Sequence, residues 1–250
     1  MLETGSYWNL KTQLWQPLLA LLVCLAAFAI FDIDRSLQSL LYQSGTGFPF
    51  QHNELYELWL HDRIKTASNS LLILVLIAIF WPGEKLGWRN YRIPLIVAVL
   101  AMISSASFVR WLKEVTDIYC PVQLSVYGGE YTPEPLVNLW HLVLRETGQG
   151  QCWPAGHSST GFAWVGMYFA FQELGRRRAA RIMLITALGY GNFLGLVQVV
   201  RGEHFLSHQV FTMAFCWYIC LGFFAVLHLV DRYSSKNSID DVKYFSAQGQ

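Results

Sequence analysis

The residues able to do chemistry fall in three short polar clusters, each at the end of a long apolar run. Arg110 and Lys113 close one run. Cys152-Trp153-Pro154-Ala155-Gly156-His157-Ser158-Ser159 opens the next, and Arg201-Gly202-Glu203-His204-Phe205-Leu206-Ser207-His208 joins the last two. The set combines cations suited to an anion, histidines on separate segments, and a helix start led by Gly156 whose free N–H groups point outward. Unpaired amides and the helix dipole both favour negative charge there, so such a start is a ready phosphate cradle. One histidine could attack phosphorus while the other protonates the departing oxygen, dividing one hard displacement into two easier ones. Lys113 and Arg201 would neutralise the equatorial oxygens, the main electrostatic task in phosphoryl transfer. This chemistry calls for no metal and no cofactor. His204 and His208, at i and i+4, also have zinc-ligand spacing, but the HExxH form is absent and a third ligand is not evident.

The elements that must position these residues are membrane helices. An apolar fraction of 54%, an aromatic fraction of 15% and a mean hydropathy of +0.32 exceed the usual globular range. The apolar residues are gathered into runs, with charges between them. A net charge of +1 points to no nucleic-acid partner. Six stretches, 14–32, 65–82, 93–112, 157–174, 181–200 and 208–230, approach the roughly 20 helical residues a bilayer requires. Ala27-Phe28-Ala29 has the small-residue form of a signal-peptide cleavage site, but Glu3 and Lys11 nearly cancel before it, and the first stretch is read as a span.

Orientation follows from the basic residues. Lys85, Arg89 and Arg92, then Arg176, Arg177, Arg178 and Arg181, then Arg232, Lys236 and Lys243 mark their segments as cytoplasmic. Both termini are then cytoplasmic, and the loops 33–64, 113–156 and 201–207 lie outside with all three polar clusters. A single domain is expected over 1–233, followed by a polar, disordered cytoplasmic tail over 234–250. In the first outer loop Ile33, Leu37, Leu40 and Leu41 predict a helix lying flat in the interface, and Asn53 could cap a second carrying Leu55, Tyr56, Leu58 and Trp59. Gly189, Gly191 and Gly195 read as a helix-packing face in mid-membrane. Cys24, Cys216 and Cys220 lie inside apolar runs and read as small packing residues. Cys120 and Cys152 flank an outer loop, where an oxidising compartment predicts a disulfide.

On these motifs the chain resembles the type 2 phosphatidic acid phosphatase (PAP2) superfamily, which shares its core with vanadium haloperoxidases. The family signature has a Lys followed seven and eight residues on by Arg-Pro, then Pro-Ser-Gly-His, then Arg with His six residues later and Asp four after that. Here the parts read Lys113 through Cys120-Pro121, then Pro154-Ala155-Gly156-His157, then Arg201 with His204 and His208. The resemblance implies an all-α membrane protein of six transmembrane helices. It implies His204 as the nucleophile that becomes phosphohistidine and His157 as general acid. Lys113, with the backbone around Gly156, His157 and Ser158, would hold phosphate.

Four departures stand out. Cys120 replaces an Arg, with Arg110 one turn earlier as the candidate substitute. Ala155 replaces the Ser, Gln198 occupies the usual Arg position while Arg201 lies three before the nucleophile, and His208 replaces the Asp that orients it. These variations resemble a bacterial branch, which implies an inner-membrane location with a periplasmic site. The substrates implied are membrane lipid phosphates: undecaprenyl pyrophosphate, lipid A, phosphatidylglycerol phosphate or phosphatidic acid. Lipid phosphotransfer, or a non-catalytic lipid-phosphate binding or flipping protein, are the alternatives. A haem carrier would place histidines within the bundle, whereas these sit at one rim.

Overall fold

A computed structural model describes residues 9–54, 56, 63–80, 89–132 and 150–248. Among the described residues eight α-helices follow in order: α1 (Leu10–Phe31), α2 (Ile33–Leu41), α3 (Ile64–Phe80), α4 (Arg89–Val115), α5 (Gly156–Phe162), α6 (Val165–Glu173), α7 (Arg177–Val200) and α8 (Leu206–Gln248). Short 3₁₀ turns at Pro121–Gln123 and Ser125–Tyr127 shape the loop after α4. The described residues contain two isolated β-bridges and no named strand, so the fold is all-α. Asn9 caps α1, its side-chain oxygen accepting the amides of Lys11 and Thr12. Asp32, with φ of 46°, ends α1 in the left-handed region and turns the chain directly into α2.

Among the described residues, four helical segments are long and apolar enough to cross a membrane: Leu10–Phe31, Tyr91–Val115, Arg177–Val200 and Leu206–Val230; Thr66–Phe80 is apolar but shorter. Leu19, Leu22, Val23 and Ile30 on α1, Ile182 and Ile185 on α7, and Val226 and Leu229 on α8 all point outward. So much outward apolar surface suits lipid rather than water. Phe162, Phe169 and Phe224 fill the interior between α4, α5, α6, α7 and α8. At one end α1 is tied in by polar contacts: Trp217 Nε1 donates to the Gln13 carbonyl at 2.9 Å, and Gln13 Nε2 donates to the Tyr168 hydroxyl at 2.7 Å.

Two expectations change. The stretch 157–174 is not one regular helix but α5 and α6, separated at Ala163–Trp164, where both residues keep right-handed helical dihedrals. The break is buried against α4, α7 and α8. Irregular backbone at membrane depth is tolerated when protein, not lipid, surrounds it. The polar tail is not irregular either, since α8 continues to Gln248. Residues 234–248 contain neither Pro nor Gly, so nothing local stops the helix. On α2 the apolar stripe is divided: Leu40 is 83% exposed and Leu41 packs against the Phe48, Leu124 and Tyr127 cluster, while Asp34 and Gln38 of the same helix are buried. The second interfacial helix expected after Asn53 lies largely outside the described residues.

The packing of α5 on α7 depends on glycine. A Cβ on Gly161 would overlap the Gly191 backbone, one on Gly191 would enter the Phe162 ring, and one on Gly195 would enter the Gln209 side chain; at Gly189 the space is open. Backbone cannot move aside as a flexible side chain can. Gly161→Ala is therefore expected at the upper end of the overpacking range, about 3 kcal/mol. Gly189→Ala should match or slightly exceed the parent, because helical Ala is favoured over Gly. Thermal midpoints in detergent check the pair, and equal midpoints for the two variants would contradict the packing argument.

Candidate active site

A cavity of about 170 Å³ is lined by Lys113, Cys120, His157, Gln198, Arg201, Glu203 and His204. These residues come from the end of α4, the loop after it, the start of α5, the end of α7 and the α7–α8 connection. Sequence-distant groups thus converge on one small polar space.

The segment before α5 is fixed through its carbonyls. Thr116 at the end of α4 donates to the Trp153 carbonyl at 2.6 Å; Thr212 on α8 and Ser158 donate to that of Ala155 at 3.2 and 2.8 Å. The Cys152 amide donates to Ile118 O at 2.9 Å. Backbone groups buried this way keep their partners, and the start of α5 inherits a defined position. Lys113 runs past that start: a Cβ on Gly156 would lie 3.8 Å from the lysine Cδ.

The loop that carries His204 is clamped from outside. Gly202 takes φ of +73°, and a Cβ there would strike the Phe48 ring, so both conformation and space demand glycine. Its carbonyl accepts the Val122 amide at 3.0 Å. Arg201, only 7% exposed, donates from Nε and Nη2 to the Gln51 carbonyl at 3.2 and 3.1 Å, and from Nη1 to Gln198 Oε1 at 3.2 Å. Gln198 therefore stands beside the arginine that lies three residues on and holds it at the cavity wall. Sequence reasoning missed Gln51, which acts through its backbone and leaves no side-chain signal.

Other expected site residues are placed differently. Arg110 does not line the cavity; its Nε pairs with Glu114 Oε1 at 3.1 Å and its side chain is 82% exposed, because Glu114 one turn on draws it outward. Ser158 is buried and spends its hydroxyl on Ala155, not on the cavity. His208 is fully buried behind the loop, its Nδ1–H donating to the Cys152 carbonyl at 3.0 Å. The His204 and His208 rings stand 5.8 Å apart between centroids at 68°. The group at His204 Nδ1 is Cys152, whose Sγ lies 3.4 Å away and whose backbone also hydrogen-bonds the ring.

Cys120 and Cys152 form a disulfide with Cα atoms 5.0 Å apart, closing a sequence separation of 32. It joins the chain after Lys113 to the chain before His157. The Cys152 sulfur also touches the Glu203 carbonyl oxygen at 2.7 Å. As half of a disulfide it carries no hydrogen, so this is contact rather than donation. Cys152, His204 and His208 bring potential ligand atoms within 4.8 Å of one another. The oxidised sulfur is not a thiolate, so the trio is not a metal-ligand set in this state. Opening the bridge is expected to remove about 2 to 4 kcal/mol of stability by freeing the unfolded chain. Alkylation of Cys120 and Cys152 only after reductant, with a matching fall in thermal midpoint, checks this.

Burial pushes the His204 ring well below its ordinary pKa, and His208, Lys113 and His157 add to the depression, opposed by the Cys152 backbone. The ring is accordingly neutral at neutral pH, with a nitrogen lone pair available for attack.

The fold and site define a helical membrane protein with a cationic, histidine-bearing pocket at one rim of its bundle. The PAP2 superfamily model matches residues 94–232, more than half of the chain, and the protein belongs to that superfamily. No curated protein and no solved structure gave a match. Membership in a superfamily of phosphatases, together with the apolar helices, fits a membrane phosphatase.

Proposed function

We propose that the protein is a metal-independent lipid phosphatase of the bacterial inner membrane, hydrolysing a lipid phosphomonoester or pyrophosphate at the periplasmic face. The observation that carries this reading is the convergence of His157 and His204, from separate elements, on one cavity with Lys113 and Arg201. His204 Nε2 attacks phosphorus, and the bond from phosphorus to the lipid oxygen breaks as His157 gives that oxygen a proton. His157 then takes a proton from water, the water oxygen attacks the phosphohistidine, and the P–N bond breaks to release phosphate. Lys113 and Arg201 carry the charge on the non-bridging oxygens in both steps. The basic residues at 176–178 and 181 support the periplasmic orientation.

Purified protein, with chelator present, should release inorganic phosphate from at least one of undecaprenyl pyrophosphate, lipid A, phosphatidylglycerol phosphate and phosphatidic acid. Binding of these lipids without release would move the reading to a binding or flipping protein. Phosphate appearing on an added lipid acceptor would move it to a transferase.

The lowered His204 pKa also predicts a stability profile. Between the ordinary value of about 6.5 and its depressed native value, the unfolded chain holds more protons at this ring than the folded one. Stability is thus fully present above about pH 6.5 and falls as pH is lowered, by about 1.4 kcal/mol per unit for this one group. His204→Gln, which cannot titrate, should make the decline below about pH 6.5 shallower. An unchanged slope in the variant would contradict the burial argument.

A further inference from the structure

Helix α2 lies against the back of the loop that carries His204, and its contacts there are polar. Gln38 has no exposed surface, and its Nε2 donates to the His204 carbonyl oxygen at 2.9 Å and to the Val199 carbonyl oxygen at 3.3 Å. One turn earlier, the buried Asp34 accepts the Ser207 amide on Oδ1 at 2.9 Å. These contacts reach the end of α7, the nucleophile residue itself and the second residue of α8. One face of one short helix therefore spans the whole α7–α8 connection.

Burying an amide and a carboxylate is unfavourable unless each finds partners, and leucines would have sufficed to dock an interfacial helix. The leucine of this helix that is most exposed, Leu40, instead faces away from the protein. The contacts of Val122, Phe48 and Gln51 hold the Arg201–Gly202 side of this connection, and α2 supplies hydrogen bonds at Val199, His204 and Ser207. A hydrogen bond to the carbonyl of His204 fixes the peptide plane from which the imidazole projects.

We propose that Gln38 and Asp34 are positioning residues for the nucleophile, holding 199–207 so that the His204 ring is presented to phosphorus. This rests on the reading of His204 as nucleophile. Small misplacements of a nucleophile cost on the order of 10²-fold in rate while leaving ground-state binding intact.

Orthovanadate and inorganic phosphate separate the two effects. Vanadate mimics the five-coordinate state by bonding to the nucleophilic nitrogen, whereas phosphate needs only the cations. In Gln38→Leu and Asp34→Ala, vanadate affinity should fall at least about tenfold, and kcat on whichever lipid the parent hydrolyses should fall by at least as much. KM and phosphate affinity should stay within about twofold. Asp34→Asn, which keeps an acceptor oxygen, should lose less than Asp34→Ala. Ser39→Ala, at an exposed position of the same helix, should match the parent.

Should Gln38→Leu fail to fold, Gln38→Asn is too short to reach both carbonyls and carries the same expectation. Vanadate and phosphate affinities that fall together, or that both hold, overturn the inference. If His204→Ala binds vanadate like the parent, the nucleophile assignment itself is wrong. If His204→Ala loses vanadate while Gln38→Leu keeps it, the positioning role alone is wrong.

Discussion

His204→Ala is expected to release no phosphate above background, a loss of at least about 10⁴ in turnover, while remaining folded in detergent. Nucleophile and acid act as a unit, so removing either collapses the covalent route rather than subtracting a share of it. The ring lines the cavity, is 3% exposed and is held neutral by burial, which leaves a lone pair for attack. His157→Ala should fall by about 10² to 10⁴ on lipid substrates, the usual range for a positioned general acid. The two variants differ in one diagnostic way. An alkoxide leaving group needs a proton, whereas a good leaving group such as an aryl oxide departs without one. His157→Ala should therefore recover much of its activity on an aryl phosphate, and His204→Ala should recover none. Parent-level release by His204→Ala, or equal losses by His157→Ala on good and poor leaving groups, would sink these assignments.

Lys113→Met is expected to lower kcat by about 10² to 10³, the range found when one preorganised donor to a developing oxyanion is removed. The ammonium stem passes the first residue of α5 and the charge acts on His204, so it reaches the same space as the nucleophile. Arg201 is a poor replacement, because three of its five N–H groups are held by Gln51 and Gln198. Arg110, paired with Glu114 in solvent, is the control: Arg110→Ala should stay within about twofold of the parent. Steady-state kinetics on all three proteins settle the point. A loss in Arg110→Ala comparable to that in Lys113→Met would show that the phosphate draws on a different set of cations.

Much of the arrangement was legible from residue types and spacing. Apolar runs separated by basic connections marked membrane helices, because a spanning segment must satisfy its own backbone and exclude charge. Lys113, the Pro-x-Gly-His start of α5 and the Arg201 to His208 segment stood out because reactive polar side chains at the ends of such runs have few other reasons to be there. Those signals are local, and local signals survive in sequence.

What the tertiary structure decided was which polar groups face the cavity and what holds them there. Arg110 and Lys113 are three residues apart on one helix, yet Glu114 turns the first outward while α5 receives the second. Ser158 follows His157 directly but spends its hydroxyl on the Ala155 carbonyl. Gln51, Gln38 and Asp34 gave no catalytic signal, and Gln198 only the sign of a missing arginine, because their work is done on backbone or on another side chain from 3 to 173 residues away. The apolar stripe of α2 was readable, but the burial of Asp34 and Gln38 on the same helix was not. The break between α5 and α6 is enclosed by α4, α7 and α8, a tertiary setting that no window of hydropathy can register. Composition and spacing determine what must be buried in lipid and which groups can react. The direction of each side chain depends on partners brought close only by the packed bundle, and that is a property of the fold.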